Sequence, residues 1–157
     1  MKDPSKAYAG ATQVGGPLDG VSQISEWRLA KAAHHDLRAM GMPRVNLLFI
    51  GKENVLRQVL ETLFLDLRGP IFSWSPGEPL ILPPAALIGT VILHDVGGLP
   101  IEDQRRLLKW IEHATGRTQV ISTTSTSLLS QVQAGGFIDT LYYRLNTVCL
   151  DVTAQVA

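Results

Sequence analysis

The chain has 157 residues, 45% hydrophobic and 18% charged, which excludes an intrinsically disordered protein and suffices for one domain with a substantial core. Fourteen basic and fourteen acidic residues cancel, so no bulk attraction to nucleic acid or to an anionic membrane is expected. The single cysteine, Cys149, excludes an internal disulfide; with no signal-type apolar core and no run near the ~20 residues that span a bilayer, a cytoplasmic protein is expected.

Residues 1–20, rich in Gly, Ala, Ser and Pro without an apolar period, read as a flexible N-terminal arm ahead of a single domain at 21–157. Over Ile24–Met40 the spacing predicts a helix with Ile24, Trp27, Leu29, Ala33, Leu37 and Met40 on its apolar face. Gly41 stops it and Pro43 prevents its continuation. His34 and His35 read as solvated surface, because neither has an acidic or cysteine partner one turn on. Asn46–Ile50 (NLLFI) is short and apolar, the mark of a buried strand. Past Gly51, residues Val55, Leu56, Val59, Leu60, Leu63, Phe64 and Leu67 recur at helical spacing until Gly69-Pro70. Ile71–Trp74 reads as a second strand. A tight, proline-rich connection follows, with a helical turn near Ala85–Ile88, and leads into a third strand at Val91–Leu93.

The rest of the chain is organised around GTVILHDVGGLP (Gly89–Pro100). Its strand delivers His94 and Asp95 to the carboxyl end, where ligand crevices of open parallel sheets lie. No nucleophile motif of the G-x-S-x-G type accompanies the pair. The Gly97-Gly98 turn and Pro100 then open a helix striped by Leu107, Leu108, Ile111 and Ala114. Glu102 and Asp103 in its first turn suit the helix dipole, and Gly116 ends it. Gln119–Thr123 is the fourth strand, and Thr124, Ser125 and Thr126 offer capping hydroxyls to a short helix over Ser127–Gln133, stopped by Gly135-Gly136. Phe137–Leu145 reads as a helix and Thr147–Asp151 as a last strand, with Cys149 a small buried hydrophobe. Alternating strands and helices predict a three-layer α/β sandwich around a mainly parallel sheet.

From about Ile24 to Asp151 the chain resembles the AAA+ domain of sigma-54-dependent transcription activators. The likeness is strongest in Gly89–Pro100, Gln104–Leu108 and Gly135–Asn146, where GGFIDTLYYRLN is similar to that family's GRFREDLYYRLN. The resemblance implies a P-loop fold with five strands in the order 5-1-4-3-2, numbered as they occur in the chain.

It also implies a nucleotide site whose residues are largely replaced. The family's phosphate loop, G-E-S-G-T-G-K, falls on Gly51–Arg57 (GKENVLR). Such a loop wraps phosphates with backbone N–H groups at φ values that disfavour a Cβ, yet Asn54 and Leu56 stand at two of its glycine positions. Arg57 takes the lysine's place and Gln58 that of the magnesium-binding hydroxyl. The Asp-Glu pair after the third strand is here His94-Asp95, and neutral imidazole suits magnesium poorly. The Thr-Asn sensor becomes Thr124-Ser125. Of two candidate arginine fingers, one position holds Ile138 and the other keeps Arg144, for which pairing with a local carboxylate is the expected use. Tyr142, Tyr143 and Leu145 are expected to pack. The connection from Ser75 to Ile88 lacks the family's long arm with its Gly-Ala-Phe-Thr-Gly-Ala tip, which engages sigma-54; no helical lid and no helix-turn-helix are expected after the last strand.

The expectation is a catalytically inactive AAA+ relic serving as a protein-interaction or regulatory module in transcription or signalling. It has no catalytic residues, no metal and no cofactor, and its partner is an AAA+ activator, a receiver domain or its own copies, with neither DNA nor membrane bound. The alternative is residual binding of ATP with magnesium, or of another phosphate ligand, through Gly51, Lys52, Asn54 and Arg57 with Asp95.

Overall fold

The computed structural model describes residues 19–41, 44–114 and 117–153. The arm expected at 1–20 lies outside them except for Asp19 and Gly20, which already belong to the first helix; Pro43 and Gly116, two expected stops, also lie outside.

Five strands form one parallel sheet: β1 (Leu47–Ile50), β2 (Ile71–Trp74), β3 (Gly89–Leu93), β4 (Thr118–Thr124) and β5 (Val148–Asp151). Their order is β2-β3-β4-β1-β5, the arrangement expected from the resemblance. Because side chains alternate across a strand, Leu47 and Phe49 of β1 face one layer while Leu48 faces the other. The first layer holds α1 (Asp19–Ala39) and α2 (Glu53–Leu63), packed on Leu47, Phe49, Ile92 and Ile121. The second holds α3 (Ile101–His113), α4 (Leu128–Gln133) and α5 (Asp139–Leu145), whose Leu107, Leu128, Leu141 and Leu145 meet Leu48, Val91, Leu93 and Val120. Helices on both faces explain why the central strands read as unbroken apolar runs.

In α2 the buried residues Val55, Leu56, Val59, Leu60 and Leu63 fall at the expected spacing, and a 3-10 turn at Phe64–Asp66 closes the helix. Asp66 fastens α1 to that turn: His34 Nε2 lies 2.8 Å from one carboxylate oxygen and Arg38 donates to the other at 3.4 Å. His34 is therefore an interhelix contact and not the free surface side chain expected of it, whereas His35 is exposed.

The face of α1 also differs. Ala30, Ala33 and Leu37 are buried, but Trp27 and Met40 are half exposed, since the tight approach of α1 to α2 favours small side chains on the inner stripe. Trp27 instead lies under the Lys31 ammonium, 4.0 Å from the ring centroid. Gly41 has φ +79°, the left-handed geometry of a helix stop.

Four smaller expectations are corrected. The cap of α4 is Ser127, whose side chain accepts from Ser130 N–H, and not Thr124, Ser125 or Thr126. The helix expected from Phe137 begins at Asp139, with Phe137 buried in the preceding loop, and Ala85–Ile88 forms a turn without a helix. Cys149 is exposed, because β5 is an edge strand whose alternate residues face outward; its thiol is pushed up by partial burial and by the neighbouring Asp151 carboxylate.

Candidate functional site

The crest formed by the carboxyl ends of the strands is where the fold presents ligands, and the residues expected at the family's nucleotide positions lie there. Only Gly51 and Lys52 separate the end of β1 from the start of α2. Gly51 N–H donates to Thr124 O at 3.1 Å, and extended Lys52 (φ −68°, ψ 146°) caps the helix, its carbonyl accepting from Leu56 N–H at 2.9 Å. Gly51 is needed for space: a Cβ there would stand 2.6 Å from Val152 Cγ2. Val152 is held by its own N–H, which donates to Ile50 O at 2.7 Å, so the chain leaving β5 closes down on the crest.

The aligned residues 53–57 form the opening turns of α2. Leu56 is buried in the layer between α2 and the sheet. Asn54 donates its amide to Glu26 on α1, and Arg57 lies 3.7 Å from Glu53 one turn earlier on its own helix. Among the candidates Gly51, Lys52, Asn54 and Arg57, two side chains are thus engaged within the protein and one residue has no side chain to offer.

At the end of β3, His94 N–H donates to Trp74 O at 2.9 Å and its ring is half buried. Burial pushes the imidazole below its ordinary value, with the Glu78 carboxylate acting in the opposite sense. Asp95 turns the chain in the left-handed region, at φ 47°. Its N–H donates to Thr123 Oγ1 at 3.1 Å and its carbonyl accepts from Gly98 N–H at 2.9 Å, so the conformation is fixed at both ends. Gly97 lies against Gln131 of α4, with a would-be Cβ 2.7 Å from Nε2, which seats α4 over this turn. Thr124 is buried and spends its hydroxyl locally, donating to Thr126 O at 2.8 Å, while Ser125 is exposed. Among the described residues no three His, Cys, Asp or Glu side chains gather as a metal site.

The Ser75–Ile88 connection projects no arm. Leu80 is buried, Trp74 Nε1 donates to Glu78 O at 2.8 Å, and α3 holds the segment down through Arg106 to Leu80 O at 3.2 Å and Trp110 Nε1 to Pro83 O at 2.6 Å.

Arg144 lies away from the crest. It joins Arg44, Asn46, Trp110, Thr118 and Tyr143 in lining a groove of about 360 Å³ at the opposite, amino-terminal end of the sheet. The expected pairing of Arg144 with a carboxylate is not made among the described residues. Leu145 packs as expected and Tyr142 is partly buried, but Tyr143 is 69% exposed, because its turn of α5 points into the groove.

One organising residue, Gln104, has no counterpart in the reading of candidate site residues from sequence. It is 1% exposed, donates Nε2 to Leu99 O at 2.9 Å and to Gly136 O at 3.1 Å, and accepts from Ile138 N–H through Oε1 at 2.9 Å. It thus ties the turn after β3 to the loop before α5. The available signal was a glutamine on the apolar stripe, three residues before Leu107.

Comparison with known proteins agrees with this architecture. The Sigma-54 interaction domain family matches residues 78–154. The NtrX-like response regulator of Rickettsia typhi is 34% identical over 74 residues, covering 41% of this chain and 16% of the regulator. The DNA-binding transcriptional regulator NtrC of Rhizobium meliloti is 36% identical over 73 residues, covering 40% and 15%. The chain thus matches about a sixth of the length of these relatives. In fold it is similar to the crystal structure of NtrX from Brucella abortus in complex with ADP, with a TM-score of 0.54 and 18% identity over 87% of this chain and 42% of that one. The matched segment is thus sigma-54-activator-like and related to the NtrX and NtrC regulators, and the five-stranded order agrees with the fold of NtrX.

Proposed function

We propose that this domain has given up nucleotide chemistry and works as a protein-interaction or regulatory module in sigma-54-type transcription control. The observation that carries the reading is the two-residue connection between β1 and α2. A phosphate cradle needs several successive N–H groups free to converge on one anion. Here the stretch aligned with that loop is spent on helix turns, with Leu56 committed to the core and Val152 pressed on Gly51. Replacement of the carboxylate pair by His94-Asp95 supports the same reading, since burial disfavours the charged imidazole and a ring nitrogen offers magnesium no hard oxygen.

Co-purification and thermal shift test the proposal. A ligand at one hundred times its dissociation constant stabilises a protein by about 2.7 kcal/mol, and Mg-ATP at millimolar concentration is expected to give no such shift. An affinity-tagged chain is expected to retain a stoichiometric protein partner or to self-associate. A nucleotide-dependent rise in Tm, or a chain that stays monomeric and partnerless in native lysate, would count against the module.

A further inference from the structure

The groove at the amino-terminal end of the sheet, opposite the crest, has a composition that the domain's core does not require. Its volume of about 360 Å³ lies in the range of small-molecule sites, roughly 300–1,000 Å³. Part of its polar lining is already committed. Asn46 bridges Arg144 O (2.9 Å) and Val120 N–H (3.0 Å), Trp110 Nε1 donates to Pro83 O, and Thr118 donates its hydroxyl to Leu87 O. These bonds fix a rigid floor.

What remains to meet a ligand is the guanidinium groups of Arg44 and Arg144 and the hydroxyls of Tyr143 and Thr147, none bonded to a described residue. No carboxylate stands among the described lining residues, so the groove presents two like charges. The rings of Trp110 and Tyr143 supply flat apolar surface beside them.

We propose that this groove binds a small organic anion, its phosphate or carboxylate held by Arg44 and Arg144 and its flat apolar part set against Trp110 and Tyr143. Guanidinium forks match both oxyanions. The competing use for Arg144 is local: it stands in the last turn of α5, where a cation complements the helix dipole. The inference does not rest on the nucleotide-free reading of the crest, because the two sites lie at opposite ends of the sheet.

Isothermal titration calorimetry on the full chain tests it with phenyl phosphate, benzoate, inorganic phosphate and the neutral probe phenol. Phenyl phosphate or benzoate is expected to bind, with the tighter of the two naming the oxyanion. Phenol is expected to give no heat, and inorganic phosphate to bind at least tenfold more weakly than phenyl phosphate. R44Q and R144Q should each weaken binding at least tenfold, while the crest variant K52Q leaves it unchanged; circular dichroism confirms that each variant is folded. Absence of binding by every probe, with R144Q only lowering Tm, would assign Arg144 to the α5 terminus and overturn the proposal. Binding that survives both arginine substitutions, or that inorganic phosphate matches, would overturn it as well.

Discussion

Replacing Gln104 by leucine removes a buried clamp at nearly constant volume, so its cost isolates three hydrogen bonds. Gln104 is 1% exposed and contacts Leu99 O, Gly136 O and Ile138 N–H at 2.9, 3.1 and 2.9 Å. Each bond contributes about 1 kcal/mol net, and a backbone group left buried without a partner costs about 1–3 kcal/mol. Gly136 is exposed and water can reach its carbonyl, so the orphans that matter are Leu99 O and Ile138 N–H. Q104L should therefore destabilise the domain by about 3 kcal/mol. Urea unfolding followed by tryptophan fluorescence reads this as a lower midpoint with unchanged slope.

Q104E sharpens the test. It keeps the acceptor for Ile138 N–H but loses both amide donors and introduces a carboxyl into a buried site, where desolvation raises its pKa. The folded state then holds the proton more tightly than the unfolded chain, so Q104E should gain stability as pH falls and lose it as pH rises through the folded-state value. If Q104L changes stability by less than about 0.5 kcal/mol, the range of an unremarkable surface change, Gln104 is not what joins the β3 turn to α5.

Two further predictions follow from the titrating groups. Asp66 is held below its ordinary value chiefly by its bond to His34, with Arg38 assisting. Its contribution to stability is complete above about pH 4 and disappears as pH falls through the depressed folded value. D66N should thus be less stable than the parent at neutral pH, with the difference closing below pH 4 in acid-unfolding curves. His94 is depressed by burial, so the unfolded chain takes up its proton first and stability falls as pH drops below about 6.5. H94Q should remove that slope between pH 6.5 and the lower folded value, and identical slopes in parent and variant would show that His94 is solvated.

The fold was legible because its signals are cumulative. NLLFI and GTVIL are runs that only a doubly covered sheet accommodates, and the period of Val55 to Leu63 fits a helix laid on one face. Local detail was legible where one rule governs it, as in the backbone at Gly41. It was not where tertiary packing decides: Trp27 and Met40 look apolar in period but yield the interface to alanines, and Cys149 alternates correctly yet sits on an edge strand that only the assembled sheet reveals. The departure of Gly51–Arg57 from the phosphate loop of the family it resembles is an expectation read from the sequence. Its geometric meaning needed Val152, a hundred residues downstream, to be seen against Gly51. The clamping role of Gln104 was not legible because a buried glutamine declares itself through partners far along the chain, 32 and 34 residues away for two of its bonds.

The central claim is that β1 and α2 meet too closely for a polyphosphate, and titration calorimetry with Mg-ATP on the R44Q/R144Q double variant measures it directly, with the distal groove silenced. No heat beyond dilution at millimolar nucleotide is predicted. A saturable isotherm that requires magnesium and is lost in K52Q would contradict the account.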